Sequence, residues 1–213
     1  MKLVFLLFES ITALDAIGPY EVLSRLPGAD VKFVGEEVGP VSTDNGFLRL
    51  VADHRIDDVD SADLLLIPGG WGTRRLTTDA RVLEWVRAID ATTQYTTSVC
   101  TGSLVLGAAG LLEGKRATTH WAMHERLADV GAIPTKERVV DEGRIVTAAG
   151  VSAGIDMALA LVAKIAAPEL AQAIQLGIEY DPQPPYDTGS VDKAPAALVE
   201  AVRSRVVEDA RDA

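Results

Sequence analysis

Residues 96–121 read "TTSVCTGSLVLGAAGLLEGKRATTHW" and contain the one cysteine of a 213-residue chain. Strand-like sequence leads into Cys100, and Thr101-Gly102-Ser103 opens a run whose apolar residues fall at helical spacing. The stretch therefore predicts a strand that turns abruptly into a helix, with the thiol at the corner. Such strand–turn–helix units are the repeat of a sheet covered on both faces by helices.

The pattern extends outward in both directions. Upstream, "ADLLLIPGGWG" (62–72) predicts a buried strand ending in a glycine loop, and "TTDARVLEWVRAID" (77–90) an amphipathic helix with an N-cap threonine. Leu3 to Phe8 form a first strand, and a helix is expected to start around Pro19 in "DAIGPYEVLSRL". "DVKFVGE" (30–36) is a further strand, and "GPVSTDNGFLRLVADH" (39–54) a small hairpin turning at Asp44-Asn45-Gly46. Downstream, "GRIVTAAGVSAGIDMALALVAKIA" (143–166) repeats the strand, glycine turn and helix, and "PELAQAIQLGIEY" (168–180) adds another helix. Residues 181–195 form a proline-rich arm before the final helix, and are expected to lie along a neighbouring subunit. The whole predicts one α/β domain over residues 1–213, built on a doubly wound, mostly parallel sheet.

Composition narrows the partners. Hydrophobic residues make up 48% of the chain, enough for one sizeable core. A formal charge of -11 argues against nucleic acid or an anionic membrane surface. "KLVFLLF" (2–8) is too short to span a bilayer and is followed by "ESITALD", not by a small-residue cleavage site. One cysteine cannot close an internal disulfide. The expectation is a soluble cytoplasmic protein.

Ligands in doubly wound sheets bind beyond the carboxyl ends of the strands. Four segments end there: Asp15 with its Ile-Gly-Pro, "PGGWG" (68–72), Cys100-Thr101-Gly102, and "AAGVSAG" (148–154). A strand-to-helix corner is the geometry of a nucleophile elbow, and a thiol at a helix N-terminus is expected to favour the thiolate. Asp15 reads either as a cap for the following helix or as a buried carboxyl that hydrogen-bonds the thiol and moves a proton. The glycine loop offers unshielded N–H groups, but it lacks the lysine and hydroxyl of a phosphate loop. His120 and His124 stand four apart with Trp121, Ala122 and Met123 between them and no third ligand in sight, so no metal is expected. His120 reads as a first-turn helix residue bonding locally.

Together, "LDAIGPYEVL" (14–23), "IPGGWG" (67–72), "SVCTGSLVLGAAGLLEGKRATTHW" (98–121) and "GVSAGIDMALALVA" (150–163) resemble the ThiJ/PfpI superfamily, of class I glutamine amidotransferase-like fold. The likeness runs along nearly the whole chain and is greatest to the isonitrile-hydrating members. It implies a flavodoxin-like core, a homodimer, and no metal or organic cofactor. By motif position it places the nucleophile at Cys100 and the acid at Asp15. Thr101, Gly70, Gly150 and Val151 would line the pocket, with Trp71 and Ile17 as further walls.

Two departures sharpen what the resemblance implies. Thr101 follows Cys100 where peptidase-like and deglycase-like relatives carry a histidine, and "DVGAIPTKERVV" (129–140) has none. A Cys–His–acid triad is therefore not expected, and "ATTHW" reads as scaffold. Aspartate, not glutamate, is the acid. The expected activity is hydration of a small neutral isonitrile to an N-substituted formamide through a thioimidate. The rival expectations are a glyoxalase or deglycase acting on α-oxoaldehydes, and a cysteine redox or ligand sensor. Regulators of this type add a helix-turn-helix domain, whereas this sequence ends at Ala213 after one tail helix.

Overall fold

Alternation along the first strand sets how the layers stack. In β1 (Lys2–Leu6), Leu3 and Phe5 enter one apolar layer, and Val4 and Leu6 enter the other. A strand buried on both sides is the mark of a sheet sandwiched between helices. The computed structural model describes the backbone of residues 1–212 and the side chains of residues 1–206.

After β1 the chain runs through α1 (Ala13–Leu23), β2 (Asp30–Gly35), β3 (Gly39–Ser42), β4 (Arg49–Ala52), β5 (His54–Arg55) and β6 (Leu64–Ile67). Next come α2 (Thr73–Leu76), α3 (Ala80–Asp90), β7 (Tyr95–Val99), α4 (Gly102–Ala108), β8 (Arg116–Ala117), α5 (Arg126–Asp129) and β9 (Ile133–Pro134). The last part holds β10 (Val139–Glu142), β11 (Ile145–Ala148), α6 (Ala153–Ile165), α7 (Pro168–Gly177) and α8 (Ala196–Asp212). Seven strands form the central sheet in the order β10-β11-β7-β6-β1-β2-β5, parallel throughout except for β10 against β11. β3 and β4 make the expected hairpin, and β8 pairs with β9 in a small parallel ribbon.

Leu64, Leu65, Leu66 and Ile67 of β6 are fully buried, each stabilising the fold by roughly 2 kcal/mol through loss of water contact. One face of the sheet is covered by Val82, Trp85 and Val86 of α3 with Val105 and Leu106 of α4. The other is covered by Val22 and Leu23 of α1, Met157 and Leu161 of α6, and Ile174 of α7.

Two helix starts differ from expectation. α1 begins at Ala13, not near Pro19, and carries that proline in its interior. The missing N–H of Pro19 forfeits one helical bond, but small residues there let α1 and α6 approach closely. A Cβ on Gly18 would stand 3.0 Å from Ile155, and one on Gly154 would stand 3.0 Å from Pro19. For α3 the cap is Asp79, not a threonine: its carboxylate accepts from Val82 N–H at 3.2 Å.

Candidate active site

Cys100 joins β7 to α4 in the left-handed region, at φ +56°. That conformation costs a non-glycine residue about 1–2 kcal/mol, so its surroundings must enforce it. They do. Cys100 N–H donates to the carbonyls of Ala148 (3.1 Å) and Ala149 (2.9 Å) at the end of β11. Its own carbonyl accepts from the Ser103 and Thr119 hydroxyls at 3.1 and 2.9 Å. Gly102 seats the helix start directly on β6, since a Cβ there would lie 2.0 Å from the Ile67 carbonyl oxygen.

Asp15 reaches the same place from α1. It is fully buried, and its Oδ2 accepts from Gly69 N–H at 2.9 Å. A Cβ on Gly69 would fall 2.7 Å from Asp15 Oδ2 and 2.7 Å from Cys100 Cβ. The bare glycine is what lets carboxyl and cysteine meet. Asp15 is thus a first-turn helix residue aimed inward, and the cap position belongs to Thr12.

Burial pushes the Asp15 carboxyl up to about 7, against hydrogen bonds from Gly69 and the Cys100 thiol that pull it down; the Asp44 charge raises it further. Asp15 Oδ1 is buried without a hydrogen-bond partner. Cys100 is only 5% exposed, and burial pushes its thiol well above the usual range, with the Asp15 charge adding to the effect. Backbone N–H groups of Thr101 and Val151 act on the sulfur in the opposite sense. Desolvation of the buried thiol therefore works against the dipole of the seven-residue α4, which favours the thiolate.

Cys100 opens into a pocket of about 200 Å³, and Asp15 stays buried without lining it. Gly70, Trp71, Thr101 and Val151 line it with Cys100, as the sequence led us to expect. Val151 also lies at a positive φ, +37°, which turns its N–H toward the sulfur. Gly70 N–H donates to Thr101 Oγ1 at 3.1 Å, and the Thr73 hydroxyl lies 3.1 Å from the same oxygen, fixing Thr101 over the glycine loop. Gly150 is displaced from its expected role. It packs under the His120 ring, 2.8 Å from Cδ2 to where a Cβ would be, and does not line the pocket; nor does Ile17.

The space left by Gly150 brings His120 to the pocket wall, which corrects the reading of "ATTHW" as scaffold. His120 does bond locally, but as the cap of a single 3-10 turn (Trp121–Met123), where Nδ1 accepts from Ala122 N–H at 3.3 Å. Burial lowers its pKa, so the ring is neutral at pH 7. Among the described residues, no cluster of three His, Cys, Asp or Glu side chains stands close enough to hold a metal ion. No helix among them is long and apolar enough to cross a membrane.

Four wall residues escaped the sequence: Thr12, Asp44, Met123 and Val206. Asp44 looks like an ordinary turn former, yet it accepts from the Thr12 hydroxyl at 2.6 Å and faces the site. Val206 comes from α8. The helix is held there by Arg203, whose guanidinium lies 5.1 Å from the Trp121 ring centroid.

Comparison with known proteins places this geometry. The DJ-1/PfpI family model matches residues 1–164. The chain belongs to the DJ-1/PfpI family. It is 47% identical to an isonitrile hydratase of Pseudomonas putida over 205 residues, 96% of this chain and 90% of that protein. A ThiJ/PfpI family protein from Pseudomonas syringae superposes with a TM-score of 0.94 at 39% identity, covering 99% of this chain and 87% of that one. The HTH-type transcriptional regulator CdhR of Pseudomonas aeruginosa is 32% identical over 77% of this chain, which spans 49% of the regulator's length. The flavodoxin-like, doubly wound architecture read from the sequence is the fold of this family.

Proposed function

We propose that this DJ-1/PfpI protein hydrates isonitriles to N-substituted formamides, with Cys100 as nucleophile and Asp15 as proton carrier. The observation that carries the reading is the extent of the likeness to the Pseudomonas putida enzyme. At 96% of the chain it runs past the family core at residue 164 and into the tail that supplies the Val206 wall.

The reaction follows from the two coupled side chains. Burial raises the thiol pKa and brings the neighbouring Asp15 carboxyl to about 7, so that carboxyl can both take and give a proton near neutrality. As the sulfur attacks the terminal isonitrile carbon, the Asp15 carboxylate takes the thiol proton and passes it to that same carbon, giving a thioimidate. The N–H groups of Thr101 and Val151 stabilise the sulfur while it is anionic. Water then adds across the C=N bond, its oxygen to carbon and a proton to nitrogen, with Asp15 relaying the proton. Collapse breaks the C–S bond, the thiol regains its proton, and the formamide leaves. Neutral His120, with the Gly70 and Trp71 walls, gives the isonitrile end a pocket free of formal charge apart from Asp44. Incubation with an alkyl isonitrile is expected to yield formamide and no consumption of methylglyoxal. Methylglyoxal turnover without formamide would replace this reading with a glyoxalase.

The same reading carries a cytoplasmic homodimer with residues 181–195 at the contact. It is supported by the full exposure of residues 181–190, where Tyr186 leaves 78% of its surface in water. Sedimentation is expected to give twice the 22.6 kDa chain mass, and Tyr186→Ser to shift it toward the monomer. A wild-type monomer at micromolar concentration would discard the arm's assigned role.

A further inference from the structure

Beside the thiol pocket runs a second cleft of about 300 Å³, and the two share the Met123 wall. Arg74 and Arg126 line it, together with Thr73, Thr77 and Asp129. A second link joins the spaces: Arg74 lies 5.4 Å from the ring centroid of Trp71, itself a wall of the thiol pocket.

The charge distribution makes this cleft unusual. The chain has 31 acidic and 20 Lys and Arg residues, and most arginines are matched on the surface: Arg75 with Glu36 and Asp79, Arg81 with Asp57, Arg138 with Asp156. Among the described residues Arg74 has no carboxylate partner. Arg126 bonds Asp129 at 2.8 Å through Nε, which leaves the outer edge of its guanidinium unengaged. Partial burial and the Arg126 charge both disfavour protonated Arg74. Two cations held together without a full complement of anions lose stability, and a bound anion restores it.

We propose that this cleft holds a carboxylate at the far end of the substrate, so that the preferred isonitriles carry an anionic group. The isonitrile carbon would sit at Cys100, the linking atoms would pass along Met123 and Trp71, and the carboxylate would lie between Arg74 and the free edge of Arg126. Arginine suits this task because its planar fork matches a carboxylate with two donors. In an acidic protein a local cationic pair is also what draws an anion inward. The chemical step rests on the hydratase reading; the anion site does not.

The test compares 6-isocyanohexanoate, whose five-methylene chain can run past Met123 and Trp71, with its neutral methyl ester. Wild type is expected to favour the anion in kcat/KM by about tenfold or more, mainly through KM, and less so at high salt. Arg74→Gln and Arg126→Gln are each expected to bring the anion-to-ester ratio down toward one. A ratio at or below one in wild type, or a ratio that neither variant changes, overturns the proposal. Binding is read separately by titrating Cys100→Ala protein with 6-formamidohexanoate and its methyl ester. Tighter binding of the anion, lost on adding Arg74→Gln, supports the site; equal binding of both overturns it. If no isonitrile is hydrated, the hydratase reading falls and this titration alone decides the cleft.

Discussion

Cys100→Ala is expected to lower formamide production by at least about 10⁴-fold while leaving the fold intact, since removing a covalent nucleophile deletes every later step. The thiol is buried at 5% exposure, so trimming it to a methyl group costs about 1 kcal/mol of packing. The strained corner survives because its backbone bonds to Ala148, Ala149, Ser103 and Thr119 do not involve sulfur. Cys100→Ser is the stricter comparison, because it keeps an O–H donor of nearly the same size and is expected to be equally inactive. Formamide is measured by mass spectrometry against circular dichroism of each variant. More than about 1% of wild-type activity in Cys100→Ala would remove the covalent mechanism.

Asp15→Asn is expected to cost about 10²–10³-fold in kcat and to erase the limb of the pH–rate profile near 7. It carries a second signature in stability. The folded protein holds the Asp15 proton up to about 7, against 3.8 for an ordinary aspartate. The favourable contribution of the protonated carboxyl is complete below about pH 4 and is lost as the pH rises through 7, by at most about 4 kcal/mol. Asparagine keeps an acceptor for Gly69 N–H and never ionises. Asp15→Asn should therefore melt several degrees above wild type at pH 8 and at nearly the same temperature at pH 4. Parallel melting curves across that range would show that Asp15 is not the buried acid.

The fold was legible because its signals are local. Strands such as Leu64–Ile67 are continuous apolar runs, and the junction at Cys100 announces its own turn. The meeting of Cys100 with Asp15, the pair proposed to react, was legible for the same reason, since each ends a recognisable segment. What failed were features decided by partners distant in sequence. Pro19 looks like a helix opener until Ile155 and Gly154 are packed against α1. His120 reads as scaffold until the missing side chain at Gly150 admits its ring to the pocket. Nothing in "AVRSRVVED" says that Val206 faces a thiol.

That valine has an evolutionary consequence. The groups proposed to react, from Asp15 to Val151, all lie within the span that defines the family, while one jaw of the pocket is contributed from outside it. Among the described residues, the sheet's two apolar layers draw nothing from α8, so substitutions along this part of the helix can reshape the cavity without loosening the core that holds Cys100 in its strained turn. Catalytic machinery and substrate taste are thereby free to diverge at different rates, the first locked by packing and the second carried on an appendage that selection can edit cheaply.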